Sequence, residues 1–155
     1  KATITVQPEE TKEISNLLLG IFFEDINYSA DGGLYAELIQ NRDFEYDPSD
    51  REGDKNWNST HSWKLEGDNA TFTINTSDPV HPNNPHYAVL NIQQPGAVLT
   101  NAGFDGIALQ AGEKYDFSLF GRIPAGHKSN KLQIRLIDSN GTVQGEASIT
   151  VSSRS

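Results

Sequence analysis

The sequence predicts a mostly β chain: a jelly-roll-like β-sandwich over residues 47–155, preceded by a shorter strand–helix segment over residues 1–46. Three observations predict it. From Ser62 onward, seven short stretches rich in β-branched and aromatic residues follow one another, separated by turn residues. Between the two segments, Asp47 to His61 (DPSDREGDKNWNSTH) changes the composition, with Pro48, Gly53 and many small polar residues, and reads as a loop or domain boundary. Before that boundary, a continuous apolar run passes into a glycine turn, a pattern found nowhere later in the chain.

The elements follow in order. In KATITV, residues 1–6, Ala2, Ile4 and Val6 alternate with polar neighbours, as in a half-buried strand. Gln7 to Ser15 is polar, contains Pro8, and forms a connection. Leu17, Leu18, Leu19, Ile21, Phe22 and Phe23 form an apolar run expected of a strand buried on both faces, and it ends on Glu24, Asp25 and Asn27. Ser29 to Gly33 turns the chain, and Leu34 to Gln40 reads as a short helix with Leu34, Leu38 and Tyr35 on its apolar face. After the boundary the expected strands are Ser62 to Glu66, Thr71 to Asn75, Tyr87 to Ile92, Ala97 to Asn101, Lys114 to Arg122, Lys131 to Asp138 and Glu146 to Ser152. Turn chemistry divides them: GDN from Gly67, PNNP from Pro82, QPG from Gln94, PAG from Pro124 and SNG from Ser139.

Alternation within the later strands assigns faces. Tyr115, Phe117 and Leu119 oppose Asp116, Ser118, Phe120 and Arg122, while Leu132, Ile134 and Leu136 oppose Gln133, Arg135 and Ile137. The second face therefore combines Phe120, Arg122 and Arg135, which a plain solvated surface rarely does. It reads either as a sugar-binding surface or as a face on which another domain packs.

At 155 residues the chain holds one ordinary domain, or one domain plus a further piece. Hydrophobic residues at 35% and charged residues at 21% fit a polar globular chain rather than a disordered one. The net charge of −9 argues against nucleic acid or an anionic membrane as partner. There is no apolar run of membrane-spanning length, and there are no cysteines to form disulfides or thiolate metal sites. Methionine is absent even at position 1, which points to a precursor whose signal peptide lies outside this sequence and to a secreted or periplasmic protein. Asn27, Asn58, Asn69, Asn75 and Asn140 open N-glycosylation tripeptides, relevant in a eukaryotic secretory host.

FFEDIN followed by DGGLYAELIQNR, within Gly20 to Tyr46, resembles the opening of the catalytic domain of the α-L-arabinofuranosidases of glycoside hydrolase family 51. A looser likeness runs from Asn101 to Arg122 (NAGFDGIALQAGEKYDFSLFGR). The resemblance implies that residues 1–46 contain the first strand and helix of a (β/α)8 barrel and that residues 47–155 are a carbohydrate-binding-like module interrupting it. A barrel needs about 250 residues, so the chain is expected to be an N-terminal portion of a retaining hydrolase. The partners implied are an arabinose-containing polysaccharide, the remainder of the parent chain, and a second copy docking through the unpaired N-terminal segment.

Glu24 is the residue the resemblance marks as a substrate contact, through hydrogen bonds to arabinofuranose hydroxyls, with Asn27 adding an amide contact. A structural carboxylate capping a turn is the alternative for Glu24. Glu24 and Asp25 do not serve as a catalytic pair: adjacent strand residues leave opposite faces, whereas glycoside hydrolysis needs two carboxyls flanking one bond. The family's catalytic glutamates have no matching stretch here, so the 155 residues alone are expected to be inactive. The alternatives are a self-sufficient carbohydrate-binding module and a purely structural sandwich.

Trp57, in the polar loop, is the candidate stacking platform for a sugar ring, or else a cover over the seam between segments; Trp63 opens a strand beside Leu65 and reads as core. His61, His81, His86 and His127 lack metal-ligand spacing, so neither zinc nor any cofactor is expected. Asp105 and Asp138 are eligible calcium ligands without EF-hand spacing. No G-x-S-x-G elbow is present, and Gly32-Gly33 after Asp31, with no lysine near, is unsuited to phosphate.

Overall fold

In the computed structural model the described residues are 13, 15, 28–128 and 130–152. The strand expected over residues 1–6 and the apolar run from Leu17 to Phe23 lie outside them. The chain divides into two compact units, one of Lys1–Thr76 with His86–Ile107 and one of Ser77–Pro85 with Ala108–Ser155.

The first unit holds two antiparallel ladders. Strand β1 (Trp63–Glu66) pairs with β4 (Val98–Asn101), and β2 (Ala70–Asn75) with β3 (Tyr87–Ile92). Trp63 faces Asn101 at one end of the first ladder, and Asn75 faces Tyr87 at one end of the second. Along β2, Ala70, Phe72 and Ile74 are half-buried while Thr71, Thr73 and Asn75 are exposed, the period-two burial that the alternation demands. Phe44 joins the ladders through its side chain, its ring centroid 5.4 Å from that of Trp63 and 6.2 Å from that of Phe72. A single 3-10 turn at Pro48–Asp50 follows, its capping box closed by Asp47 accepting from Ser49 N and Asp50 accepting from Asp47 N.

The second unit is built on one long hairpin, β5 (Asn130–Ile137) against β6 (Val143–Val151), with a register shift between Leu136 and Ile137. Leu132, Ile134 and Leu136 share its half-buried face, opposite Ile149, Ala147 and Gly145. Asp138 closes the turn. Its Oδ1 accepts from Asn140 N and Thr142 N, each at 2.9 Å, and its Oδ2 accepts from Gln144 Nε2 at 2.8 Å. Gly141, with φ of 83°, supplies the left-handed residue this turn requires.

Six of the seven expected strands form, with ends shifted by up to a few residues. Lys114 to Arg122 does not: it has no ladder among the described residues. Its alternation specifies a face to bury and says nothing about a hydrogen-bonding partner, and Tyr115 instead reaches back to accept from Gln110 N at 2.8 Å.

The helix expected over Leu34 to Gln40 is absent; that stretch is a turn followed by irregular chain. Leu34 N donates to Ser29 O at 2.9 Å and Tyr35 N to Ala30 O at 2.8 Å, winding the chain tightly around Gly33, where a Cβ would lie 2.5 Å from Ser29 O. Glu37 then accepts from Leu38 N and Ile39 N at 2.9 and 2.8 Å through one carboxylate oxygen. Local side-chain bonding of that kind competes with a helical ladder, and seven residues are too few to overcome the cost of nucleation unaided. The antiparallel ladders thus make the described chain mostly β with almost no helix.

Among the described residues no apolar side chain is fully buried; the two buried side chains are amides, Gln40 at 3% exposure and Asn41 at 0%. No helix among them is long and apolar enough to cross a membrane.

Candidate glycan-contact residues

The first unit is tied together by the Gln40–Asn41 pair. Asn41 has φ of 52°, a left-handed conformation that asparagine tolerates better than most residues. Its Nδ2 donates to the carbonyls of Asn58, Ser59 and His61 at 3.3, 3.1 and 3.1 Å, and its Oδ1 accepts from Tyr46 N at 3.3 Å. The Asn41 carbonyl accepts from Trp63 Nε1 at 2.9 Å, and the Gln40 carbonyl from Asn101 Nδ2 at 2.9 Å. Ser62 Oγ donates to Gln40 Oε1. A buried amide is acceptable where its groups are paired, and Asn41 meets that condition by adding donors to the Asn58, Ser59 and His61 carbonyls, of which that of Asn58 also accepts from His61 N at 2.8 Å.

The loop so fixed presents an aromatic stack. The rings of Tyr46 and Trp57 lie 4.2 Å apart and 15° from parallel, and His61 packs 5.7 Å from Tyr46 and 4.7 Å from Trp57. His61 Nδ1 donates to Asn56 O at 2.9 Å, which assigns its proton to that nitrogen. The Arg51 guanidinium stands 4.9 Å from the Trp57 ring centroid. Trp57 is thus flanked by the Tyr46 and His61 rings and by the exposed Arg51 side chain. Burial raises the pKa of Tyr46, against a smaller lowering by the Gln40 side chain. Beside the stack, Glu45 accepts from His86 N at 3.0 Å and pairs with His86 Nδ1 at 2.5 Å.

Glu24 and Asn27 lie outside the described residues. Phe120, Arg122 and Arg135 belong to the second unit, where each has its own surroundings. Phe120 is 89% exposed. Arg122 donates through Nη1 to Asp78 Oδ2 and through Nη2 to Asp78 O, both at 2.5 Å. Arg135 Nη2 donates to Gln133 Oε1 at 2.6 Å, and Gln133 Nε2 donates to Glu146 Oε2 at 3.0 Å, forming a network on the polar face of the β5–β6 hairpin. Asp138 spends both carboxylate oxygens on its own turn, and among the described residues no group of three or more His, Cys, Asp or Glu could hold a metal ion.

Gln40 and Asn41 were not among the residues sequence reasoning selected. No local signal marks them: the helical spacing of Leu34 and Leu38 that leads to position 41 belongs to a helix that does not form.

No family model matches the chain, and no solved structure matches it. An "Extracellular exo-alpha-L-arabinofuranosidase" of Streptomyces chartreusis is 38% identical over 151 residues, which is 96% of this chain and 17% of that protein. A "Probable alpha-L-arabinofuranosidase A" of Aspergillus flavus is 31% identical over 99% of this chain and 23% of its own length. The "Alpha-L-arabinofuranosidase A" of Aspergillus kawachii is 32% identical over 96% of this chain and 22% of its own. Along nearly its whole length, then, the chain is similar to proteins named α-L-arabinofuranosidase, and it spans about a fifth of the length of these curated relatives.

Proposed function

We propose that this chain is part of a secreted α-L-arabinofuranosidase, a retaining glycoside hydrolase that removes arabinofuranosyl residues from plant polysaccharide. The observation that carries the reading is similarity to bacterial and fungal relatives of that name over 96–99% of the chain. The FFEDIN and DGGLYAELIQNR phrases support assignment to glycoside hydrolase family 51. On that assignment residues 1–46 begin a (β/α)8 barrel and residues 47–155 form an inserted jelly-roll-like module. Glu24, with Asn27, contributes hydroxyl contacts in the substrate subsite, and the catalytic carboxyl pair lies elsewhere in the parent protein. The absence of any fully buried apolar side chain among the described residues favours completion of the fold by more polypeptide. The remainder of the parent chain is the first partner, and a second copy docking through the N-terminal segment is the other.

The experiment is expression of the complete reading frame that encodes this chain, followed by assay of arabinose release from arabinan and arabinoxylan. Release supports the reading; a full product that cleaves no arabinofuranoside overturns it.

A second reading, a self-sufficient carbohydrate-binding module, is favoured by the exposure of Phe120, with Arg122 and Arg135 of the same unit as its other contacts. It predicts retarded migration of the 155-residue chain in gels containing arabinan, abolished by Phe120→Ala. Unchanged migration dismisses it.

A further inference from the structure

The turn between β5 and β6 carries Asn140–Gly141, the one Asn–Gly junction in the sequence. In such a junction the glycine amide nitrogen can attack the asparagine side-chain carbonyl, because glycine puts no Cβ in the way. A bond forms between Gly141 N and Asn140 Cγ, and the bond from Cγ to Nδ2 breaks. The Gly141 amide proton passes to solvent, and Nδ2 leaves as ammonia after taking a proton from water. Water then opens the cyclic imide. Attack at Cγ leaves aspartate, and attack at the main-chain carbonyl leaves isoaspartate, with an extra methylene in the backbone.

The rate depends on how freely that nitrogen can turn toward Cγ. Gly141 N is already committed, donating to Asp138 O at 2.9 Å. On either side of it, Asn140 N and Thr142 N both donate to Asp138 Oδ1, while Gln144 Nε2 donates to Oδ2 at 2.8 Å. Asp138 N donates in turn to Thr142 O at 3.0 Å. One carboxylate therefore fixes the backbone on both sides of the junction, and the rotation about Asn140 that cyclisation needs must first break these bonds. Residues 139–144 are exposed, so water is at hand whenever the turn opens.

We propose that Asn140–Gly141 is a deamidation site held closed by the Asp138 turn. No ligand and no other part of the parent protein takes part, so the site stands apart from the arabinofuranosidase reading. The product matters because the turn sets the register of the β5–β6 ladder. Isoaspartate lengthens the backbone where that register is fixed, and either product adds a negative charge beside Asp138 in a chain already at −9.

The test is incubation of the full gene product in mildly alkaline buffer, followed by proteolytic mapping, mass spectrometry and enzymatic assay of isoaspartate. Asn140 also opens a glycosylation tripeptide, so the protein is made in a bacterial host, where Nδ2 carries no glycan. In the native protein Asn140 is expected to convert about tenfold more slowly than in the same protein unfolded in urea. Asp138→Ala should bring the native rate close to the unfolded one while the circular dichroism of the sheet persists. Gln144→Ala, which loses only the bond to Oδ2, should raise the rate less, and it decides alone if Asp138→Ala fails to fold. Asn140→Gln should give no product at this turn. Conversion in the native parent as fast as in urea, or in folded variants no faster than in the parent, overturns the proposal. So does the absence of conversion at Asn140 even in urea.

Discussion

The Asn41 junction and the β5–β6 hairpin hold the chain in opposite ways. At the junction one buried amide bridges the Asn58, Ser59 and His61 carbonyls to the Tyr46 amide, and aromatic rings close around the loop. In the hairpin the backbone pairs with itself over eight register positions, and apolar Ile137, Val143 and Ile149 remain exposed. The first is stabilised by irreplaceable side-chain geometry, the second by a repeating pattern that tolerates exchange. A functional surface is better built on the former, because a loop fixed by specific side-chain bonds can hold rings at defined angles.

The sharpest way to break that contrast is Asn41→Ala. It removes the side-chain donor from the half-buried Ser59 and His61 carbonyls, and one of two donors from that of Asn58, and forces a non-Gly residue without a side-chain partner into φ of 52°. We expect a loss of about 3 kcal/mol in urea unfolding, together with a change in near-ultraviolet circular dichroism as the Tyr46–Trp57 stack loosens. A variant with an unchanged midpoint and spectrum would reduce the junction to an ordinary loop.

A smaller effect is expected at Asp138. Donation from Thr142 N, followed by donors from Asn140, Gln144 and the Thr142 side chain, lowers its pKa below the ordinary 3.8. A depressed carboxylate contributes stability that is fully present above its unfolded value and is lost as pH falls through the folded one. Hydrogen-exchange protection of Asn140 and Thr142 should therefore hold at neutral pH and decline in acid below pH 3.8. Asp138→Asn should remove that acid dependence; a decline equal in both proteins would assign it to another group.

The smallest change is expected on the hairpin's own unit at Phe120, whose side chain is almost wholly in solvent. Phe120→Ser should leave stability within about 0.5 kcal/mol while raising solubility. A clear drop in unfolding midpoint would mean that Phe120 is part of a packed surface after all.

Most of the β content was legible because it depends on period and punctuation. The GDN and SNG turns sit where Gly67 and Gly141 adopt φ of 111° and 83°, and the Leu132, Ile134, Leu136 alternation gives the half-buried side of β5. Lys114 to Arg122 shows where that reasoning stops, since alternation does not name a partner strand. Leu34 to Gln40 fails for another reason: its helical spacing is real, but the glycine turn before it and the Glu37 carboxylate within it claim the amides first. Of the site, Trp57 was visible as an aromatic in a polar loop, whereas its contacts with Tyr46, His61 and Arg51 were not. Those contacts depend on Asn41 bonding across 17 to 20 residues, a tertiary event with no local signature.

The central claim is that this chain contributes sugar contacts to an arabinofuranosidase without its chemistry. Hydrolysis of 4-nitrophenyl α-L-arabinofuranoside, measured side by side for the 155-residue chain and for the full product of its gene, tests it most directly. The account predicts nitrophenol release by the full product and none by the chain. Turnover by the chain alone, or none by the full product, would contradict it.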